Sequence, residues 1–448
     1  MALTIVQVVA RFKADVGQAL SAATIEKVCG YLGYRFRQRI LGPVNLVHIF
    51  LLQVLHGNVA CTALPRLANL SFTDEAYCQA RKRLPLALFE ELLQHVCDAL
   101  FPQVHTTNRW RGHRTWMADG TSFSMPDTPT LQAHFGQPGG QAKGCGFPTA
   151  HLLALFHAGT GLLLKVVASP LRTHDMRYAM TLHPELDAGD ILIADRGFAS
   201  FAHLALLARR RLHGLFRCHQ RQIVDFTVRR PHAESRKAAK GMPRSRYLRR
   251  LGRQDQLVEY PKPTSRPRWL TADAYARLPE TLQVRELRFL TPQRGYRPRV
   301  ITLVTTLLDP VAYPAPDLAE LYRSRWQVEL NFRHLKTTMG MEVLHCKSVN
   351  GVLKELHIFA LVYNLVRLVM LEACLRQDVP LDRISFIDAL RWLQHAGSGT
   401  VLEALLINPL RRDRLQPRVL KRRRKEYCLM TKPRPLLKQR LLRQKLAA

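Results

Sequence analysis

The chain of 448 residues is short of acidic side chains. Asp and Glu total 34 against 67 Lys and Arg, a formal net charge of +33. That balance is not ordinary, and on charge alone membrane-surface and ribosomal roles remain open beside nucleic-acid binding. Self-repulsion on this scale is most simply tolerated by a protein that meets a polyanion, and nucleic acid is the usual one. Paired cysteines are also missing: nine cysteines are scattered with no C-x-x-C pair and no Cys/His metal spacing. This argues against a disulfide framework and a structural zinc, and for reduced thiols in a cytosol. The N-terminus has no basic stretch followed by an apolar run, so no signal peptide is expected. The most apolar long segment, residues 356–375, is interrupted by Asn364, Arg367 and Glu372. A buried helix explains it better than a membrane span. No internal repeat is evident.

What is present is enough apolar residue, 47%, for a sizeable core, and a length that predicts two or three structural units. Residues 1–108 show helical periodicity, clearest at 44–55 and 86–100. Within them, the sequence from Ser71 to Pro85 predicts a short helix, N-capped at Ser71 or Thr73 and ending on Arg81, Lys82 and Arg83. With Tyr77, Gln79 and Arg81 exposed, that helix could enter a groove or track phosphates. Alternatively, its terminal cations merely answer the helix dipole. From Trp110 the texture changes to short β-rich runs separated by turns, with helical patterns at 175–186 and 201–212 and a further strand at 214–218. Strands alternating with helices predict an α/β core over 109–219.

Residues 220–299 read as a β-rich basic insertion facing nucleic acid. The part from 220 to 268 has fourteen Lys/Arg against four Asp/Glu. The run VITLVTTLLD then resumes a core strand, so 300–376 forms the second part of the core, and 377–448 a helical, basic C-terminal region with fifteen Lys/Arg beyond residue 408.

Three carboxylates stand out. Asp119 and Asp195 each follow an apolar run, WMA and ILIA, and each precedes or nearly precedes a glycine. Both are expected at strand ends, where a rigid sheet fixes the side chain; a turn or cap role is the ordinary alternative. The third lies in LYRSRWQVELNFRHLKTTMG, residues 321–340. Wound as one helix, this stretch puts Tyr322, Arg325, Glu329 and Lys336 within an arc of about 60°. Leu321, Val328, Phe332 and Leu335 form an adjacent anchoring stripe. Ordinary i,i+4 surface pairing is the alternative here. Three carboxylates brought close together would repel unless cations intervene, and Mg²⁺ or Mn²⁺ prefer such oxygen ligands.

These motifs together resemble the DDE transposases of the insertion sequence 4 family of bacterial mobile elements. The family signature Y-x2-R-x3-E-x6-K is matched at Tyr322, Arg325, Glu329 and Lys336. ADGTSFSMPDT around Asp119, GCGFP around Cys145 and IADRGF around Asp195 resemble further family blocks. The resemblance implies a ribonuclease H-like catalytic core interrupted by the β-rich insertion, with a helical N-terminal DNA-binding region. It implies that Asp119, Asp195 and Glu329 are catalytic and bind two Mg²⁺ (or Mn²⁺) ions, and that Tyr322, Arg325 and Lys336 hold transposon-end DNA. In some relatives a tryptophan of the insertion braces a flipped base, and Trp269 is the only tryptophan in this insertion. The implied partners are double-stranded DNA, as element ends and as target, and a second copy of the chain. No membrane or small-molecule cofactor is implied, and the location is the bacterial cytoplasm, at the nucleoid. A nuclease without strand transfer and a non-catalytic DNA binder remain the alternatives.

Overall fold

The structure, a computed structural model, describes residues 6–7, 10, 14–171, 173, 176–227, 245–291, 299–397, 400–410 and 430–446. Parts of the expected helix at 175–186, of the basic insertion and of the basic tail therefore lie outside the described residues.

The first hundred residues are helical, as their periodicity predicts: α1 (Ala14–Ala19), α2 (Ala22–Tyr31), α3 (Pro43–Leu55), α4 (Leu64–Ala68), α5 (Asp74–Arg83) and α6 (Leu86–Thr107). Helix α5 starts where Thr73 accepts a hydrogen bond from the Ala76 N–H, and its acidic first turn and basic last turn both suit the helix dipole. Helix α3 is buried along almost its whole length, because it packs against a long apolar helix from the other end of the chain.

Among the described residues, the centre is a nine-stranded sheet. In chain order it comprises β1 (Thr115–Ser124), α7 (Pro129–Phe135), β2 (Thr149–His157), β3 (Leu163–Pro170), α8 (Met176–Ala179), β4 (Ile191–Ala194), α9 (Phe201–Arg209) and β5 (His213–Arg217). It continues with β6 (Arg246–Gly252), β7 (Asp255–Pro261), α10 (Ala272–Ala276), β8 (Thr281–Thr291) and β9 (Arg299–Thr305). The strand order is β3-β2-β1-β4-β5-β9-β8-β7-β6. Strands β1, β2 and β3 form an antiparallel meander, while β1, β4 and β5 run parallel. Strand β4, ILIA, is buried at every residue, as a parallel strand covered on both faces must be.

The insertion is less separate than the sequence suggests. Its strands β6–β8 are paired in series to β9, and β9 to β5, so it extends the core sheet. Its polar residues are turned partly inward. Arg285 is fully buried and forks onto Asp255 at 2.8 and 2.5 Å, while Glu286 accepts from Gln256 and Tyr260. A buried, doubly bonded pair of this kind is costly to break from one side.

After the sheet come α11 (Ala315–Arg323), α12 (Trp326–Arg333), a π-turn at His334–Thr338, α13 (Val349–Gln377), α14 (Phe386–His395) and α15 (Arg434–Leu446). Helix α13 is long and apolar enough to cross a bilayer, but 78% of its most apolar window is buried inside the protein. Its polar interruptions have internal partners. Asn364 bonds both the N–H and the C=O of Leu163, Tyr363 donates to Gly161 O, and Arg367 donates to Thr160 O. They satisfy the β2–β3 turn, whose backbone polar groups would otherwise be buried unpaired. One apolar core runs from the N-terminal helices through the sheet to α14, so the expected helical region and the core share an interior.

Candidate active site

Asp119 does not end its strand. Strand β1 runs on to Ser124, with Gly120 paired opposite Leu153, so the expected turn at that glycine is absent. What ends there is the neighbouring strand. The parallel pairing of β1 with β4 stops at Ala118 and Ala194, and Asp119 and Asp195 are the next residue on each. Adjacent strands lie about 4.8 Å apart, so the register sets these two carboxylates side by side. Asp195 itself leaves β4 as expected, opening a short 3₁₀ turn at Arg196–Phe198.

The stretch 321–340 is not one regular helix. Helix α11 ends at Arg323, α12 begins at Trp326, and three-residue hydrogen bonds tighten the joint: Arg325 N–H to Tyr322 O and Val328 N–H to Arg325 O. A π-turn then takes up Lys336, changing its phase from that of a 3.6-residue helix. The apolar stripe anchors as expected, with Val328, Phe332 and Leu335 buried and Phe332 edge-on to Phe156 of β2 at 5.4 Å. The chain after the π-turn is stapled to the end of β1: Ser124 N–H donates to Glu342 O and Leu344 N–H to Ser124 O. Backbone bonds thus hold the end of strand β1 to the segment that follows the Glu329 helix and its π-turn.

Arg325 stands at the centre. Its Nη1 lies 3.2 Å from Asp119 Oδ2 and its Nη2 3.4 Å from Glu329 Oε1. Burial works against its charge, but Tyr322 and the carboxylates Asp119, Asp195 and Glu329 outweigh it and hold the guanidinium above its ordinary pKa. The ring of Tyr322 lies under it, 5.9 Å from the guanidinium carbon. Contrary to the expectation of an exposed phenol, Tyr322 is only 5% accessible. Burial pushes it up to about 12; Asp195 adds to the rise, whereas Arg325 and Arg217 oppose it. It therefore stays a neutral phenol.

Among the described residues no three His, Cys, Asp or Glu side chains stand close enough to hold a metal ion. Yet the donor set suits a hard cation: three carboxylates from β1, the end of β4 and α12 all act on one point of positive charge. That point is the Arg325 guanidinium. The residues fit a divalent ion chemically, and the arginine occupies the space between Asp119 and Glu329.

The other expected DNA contacts divide. Tyr77 is fully buried and Arg81 is turned inward, donating to Gln53 Oε1 at 3.0 Å and lying over the Phe50 ring at 4.5 Å. Their expected exposure is corrected: these side chains close the seam between α5 and α3. Gln79, Lys82 and Arg83 are exposed. Trp269 is half-buried against the small apolar cluster of Phe201, Ala202 and Leu270, and Lys336 is partly exposed on the π-turn. Two residues were not singled out from sequence. Arg217 ends β5 as Asp195 follows β4, a parallel that could have flagged it. Trp326 is 62% exposed on the first turn of α12, next to Arg325.

A family model described as the transposase DDE domain matches residues 110–365. The transposase InsG of insertion sequence element IS4 from Escherichia coli (strain K12) is 26% identical over 375 residues, covering 79% of this chain and 77% of that protein. The putative transposase InsZ of the same organism is 27% identical over 153 residues, 32% of this chain and 51% of that one. Among solved structures, the piggyBac transposase synaptic complex with hairpin DNA overlaps 83% of this chain and 75% of that one, with 8% identity and a TM-score of 0.41.

Proposed function

The chain belongs to the DDE transposases of the insertion sequence 4 family, and on that footing we propose that it binds the inverted repeats ending its own element, cuts the DNA there and joins the freed 3′ ends to a target. The observation that carries this reading is the convergence of Asp119, Asp195 and Glu329 on Arg325 from three distant stretches of chain. The sheet supports it: a β3-β2-β1-β4-β5 order with a leading antiparallel meander is what we take as the ribonuclease H-like core.

Asp119, Asp195 and Glu329 would hold Mg²⁺ or Mn²⁺, two ions per site. Such ions activate the attacking oxygen and stabilise the leaving oxygen of a phosphoryl transfer. The protein's own groups position the DNA. Arg325 can leave its carboxylates for a phosphate, to which its planar fork is suited. Buried Tyr322 fixes the base of that side chain, so its role is to orient the arginine. Lys336, on the π-turn, offers a point charge to the same backbone. Cutting two ends and joining them at one place requires two copies of the chain, so the working complex is a homodimer on double-stranded DNA, in the bacterial cytoplasm at the nucleoid.

The test is incubation with a duplex carrying the element end and Mg²⁺. Nicked and joined products are expected from the native protein, and neither from Asp119→Asn, Asp195→Asn or Glu329→Gln. Undiminished cleavage by these three variants would sink the assignment. Nicks without joined products would reduce it to a nuclease.

A further inference from the structure

Two thiols seventeen residues apart in sequence come together beside α5. Cys61 opens a 3₁₀ turn, Cys61–Ala63, that leads into α4, and α4 ends at Asn69 in a left-handed conformation, φ 54°. That reversal brings the chain back into α5, where the Cys78 thiol donates to Cys61 Sγ at 3.6 Å. The two sulfurs differ in environment. Cys78 is the exposed one among the described cysteines, while Cys61 is half-buried. Gln53 Nε2 donates to Cys61 Sγ at 3.8 Å. Burial pushes the Cys61 thiol up to about 11, with Arg81 opposing the rise and Cys78 adding to it.

An exposed thiol in contact with a second thiol is the arrangement of a reversible oxidation site rather than of a permanent bridge. A hydroperoxide reaches Cys78 first. With hydrogen peroxide, the Cys78 sulfur gives an electron pair to one oxygen and the O–O bond breaks. The departing hydroxide takes the thiol proton and leaves as water, and Cys78 becomes a sulfenic acid. Cys61 Sγ then attacks Cys78 Sγ: the S–S bond forms, the S–O bond breaks, and the hydroxyl leaves as water with the Cys61 proton. Each thiol sulfur has lost one electron, the peroxide has taken up both, and two waters have formed. Arg81, which already favours the Cys61 thiolate, steadies it as its proton leaves. In a reducing cytosol such a bond is transient.

The element so fastened joins two parts of the molecule. The last carbonyls of α5, Arg81 O and Lys82 O, accept from the buried ammonium of Lys354 on α13. Arg81 donates to Gln53 Oε1 on α3 and, at 3.4 Å, to Cys346 Sγ in the loop that follows the π-turn. Glu355, beside Lys354, accepts from the N–H groups of His345 and Cys346 in that loop. A third thiol therefore stands beside Arg81, but it is buried and bonded to the guanidinium, and Cys61 is the sulfur that Cys78 touches. Closing the chain between Cys61 and Cys78 removes freedom from the unfolded state, so oxidation stabilises the fold at α5.

We propose that Cys78 and Cys61 form a peroxide-sensitive thiol pair, Cys78 the site of attack and Cys61 its resolving partner, whose disulfide fastens α5 to the Cys61–Ala63 turn. For the test, the whole chain is fully reduced, treated with hydrogen peroxide at neutral pH, quenched by thiol alkylation and mapped by peptide mass. Trypsin cuts after Arg66, between the two cysteines, so the disulfide appears as a cross-linked peptide pair that dithiothreitol separates. Alkylatable thiols in the unfolded chain should fall by two from nine. Cys78 should be consumed at least about tenfold faster than the buried Cys29 and Cys97. Cys61→Ser should leave Cys78 as a sulfenic acid that dimedone traps, and Cys78→Ser should leave Cys61 alkylatable. The oxidised native protein should melt higher than the reduced one, and neither serine variant should show that difference. A bond from Cys78 to Cys346 or between two chains would overturn the proposal. So would equal consumption of Cys78 and Cys29, or an oxidised protein that melts no higher than the reduced one.

Discussion

Replacing Arg325 by alanine isolates the electrostatics of the site. The guanidinium is 17% exposed and meets Asp119 (23% exposed) at 3.2 Å and Glu329 (47% exposed) at 3.4 Å. A charge-assisted bond in the first, half-buried geometry is worth about 1.5–3 kcal/mol, while the more open Glu329 pair adds a few tenths. Arg325→Ala should therefore cost about 2 kcal/mol in metal-free buffer, since Asp119 and Glu329 lose the cation they share. A divalent ion should restore much of that loss. At about thirty times its dissociation constant an ion stabilises by about 2 kcal/mol, and in the variant no guanidinium competes for the space. The assay is thermal denaturation without DNA, in EDTA and across a Mn²⁺ titration. The variant should start less stable and show the larger Mn²⁺ response; in the native protein the ion must first displace Arg325. Equal Mn²⁺ responses in the two proteins, or unchanged stability of the variant in EDTA, would refute the placement of Arg325 as the resident cation.

Lys336→Ala should weaken DNA binding while leaving the Mn²⁺ response intact, and a lost Mn²⁺ response would show that the lysine serves the metal site. Glu355 is 1% exposed and accepts from His345 N–H, Cys346 N–H and Asn58. Glu355→Ala should thus destabilise by about 3 kcal/mol, measured by urea unfolding; a loss below about 0.5 kcal/mol would contradict that network. Burial, with help from nearby cationic groups, pushes His157 and His334 down from 6.5 to about 3, and His183 falls likewise against His203. These rings stay neutral when folded, so the unfolded chain takes up more protons below about pH 6.5 and stability falls from there toward pH 3. A thermal midpoint independent of pH between about 7 and 4.5 would exclude this.

The sequence by itself determined what local pattern and composition can carry. Helical periodicity marked α3, α6 and α13, and the run ILIA announced a core strand. Asp195 at its end, the spacing of Arg325 and Glu329, and a charge that calls for a polyanion were equally legible, because each depends on neighbours a few residues away. The tertiary structure decided what depends on register and packing between distant segments. Only the pairing of Ala118 with Ala194 sets Asp119 beside Asp195. Only α3 and α5 packed together turn Tyr77 and Arg81 inward, and only the corner at Ser324 and Arg325 buries Tyr322 and aims the arginine at Asp119. The insertion looked separate because its composition changes, yet its strands complete the core sheet through hydrogen bonds that no local pattern encodes.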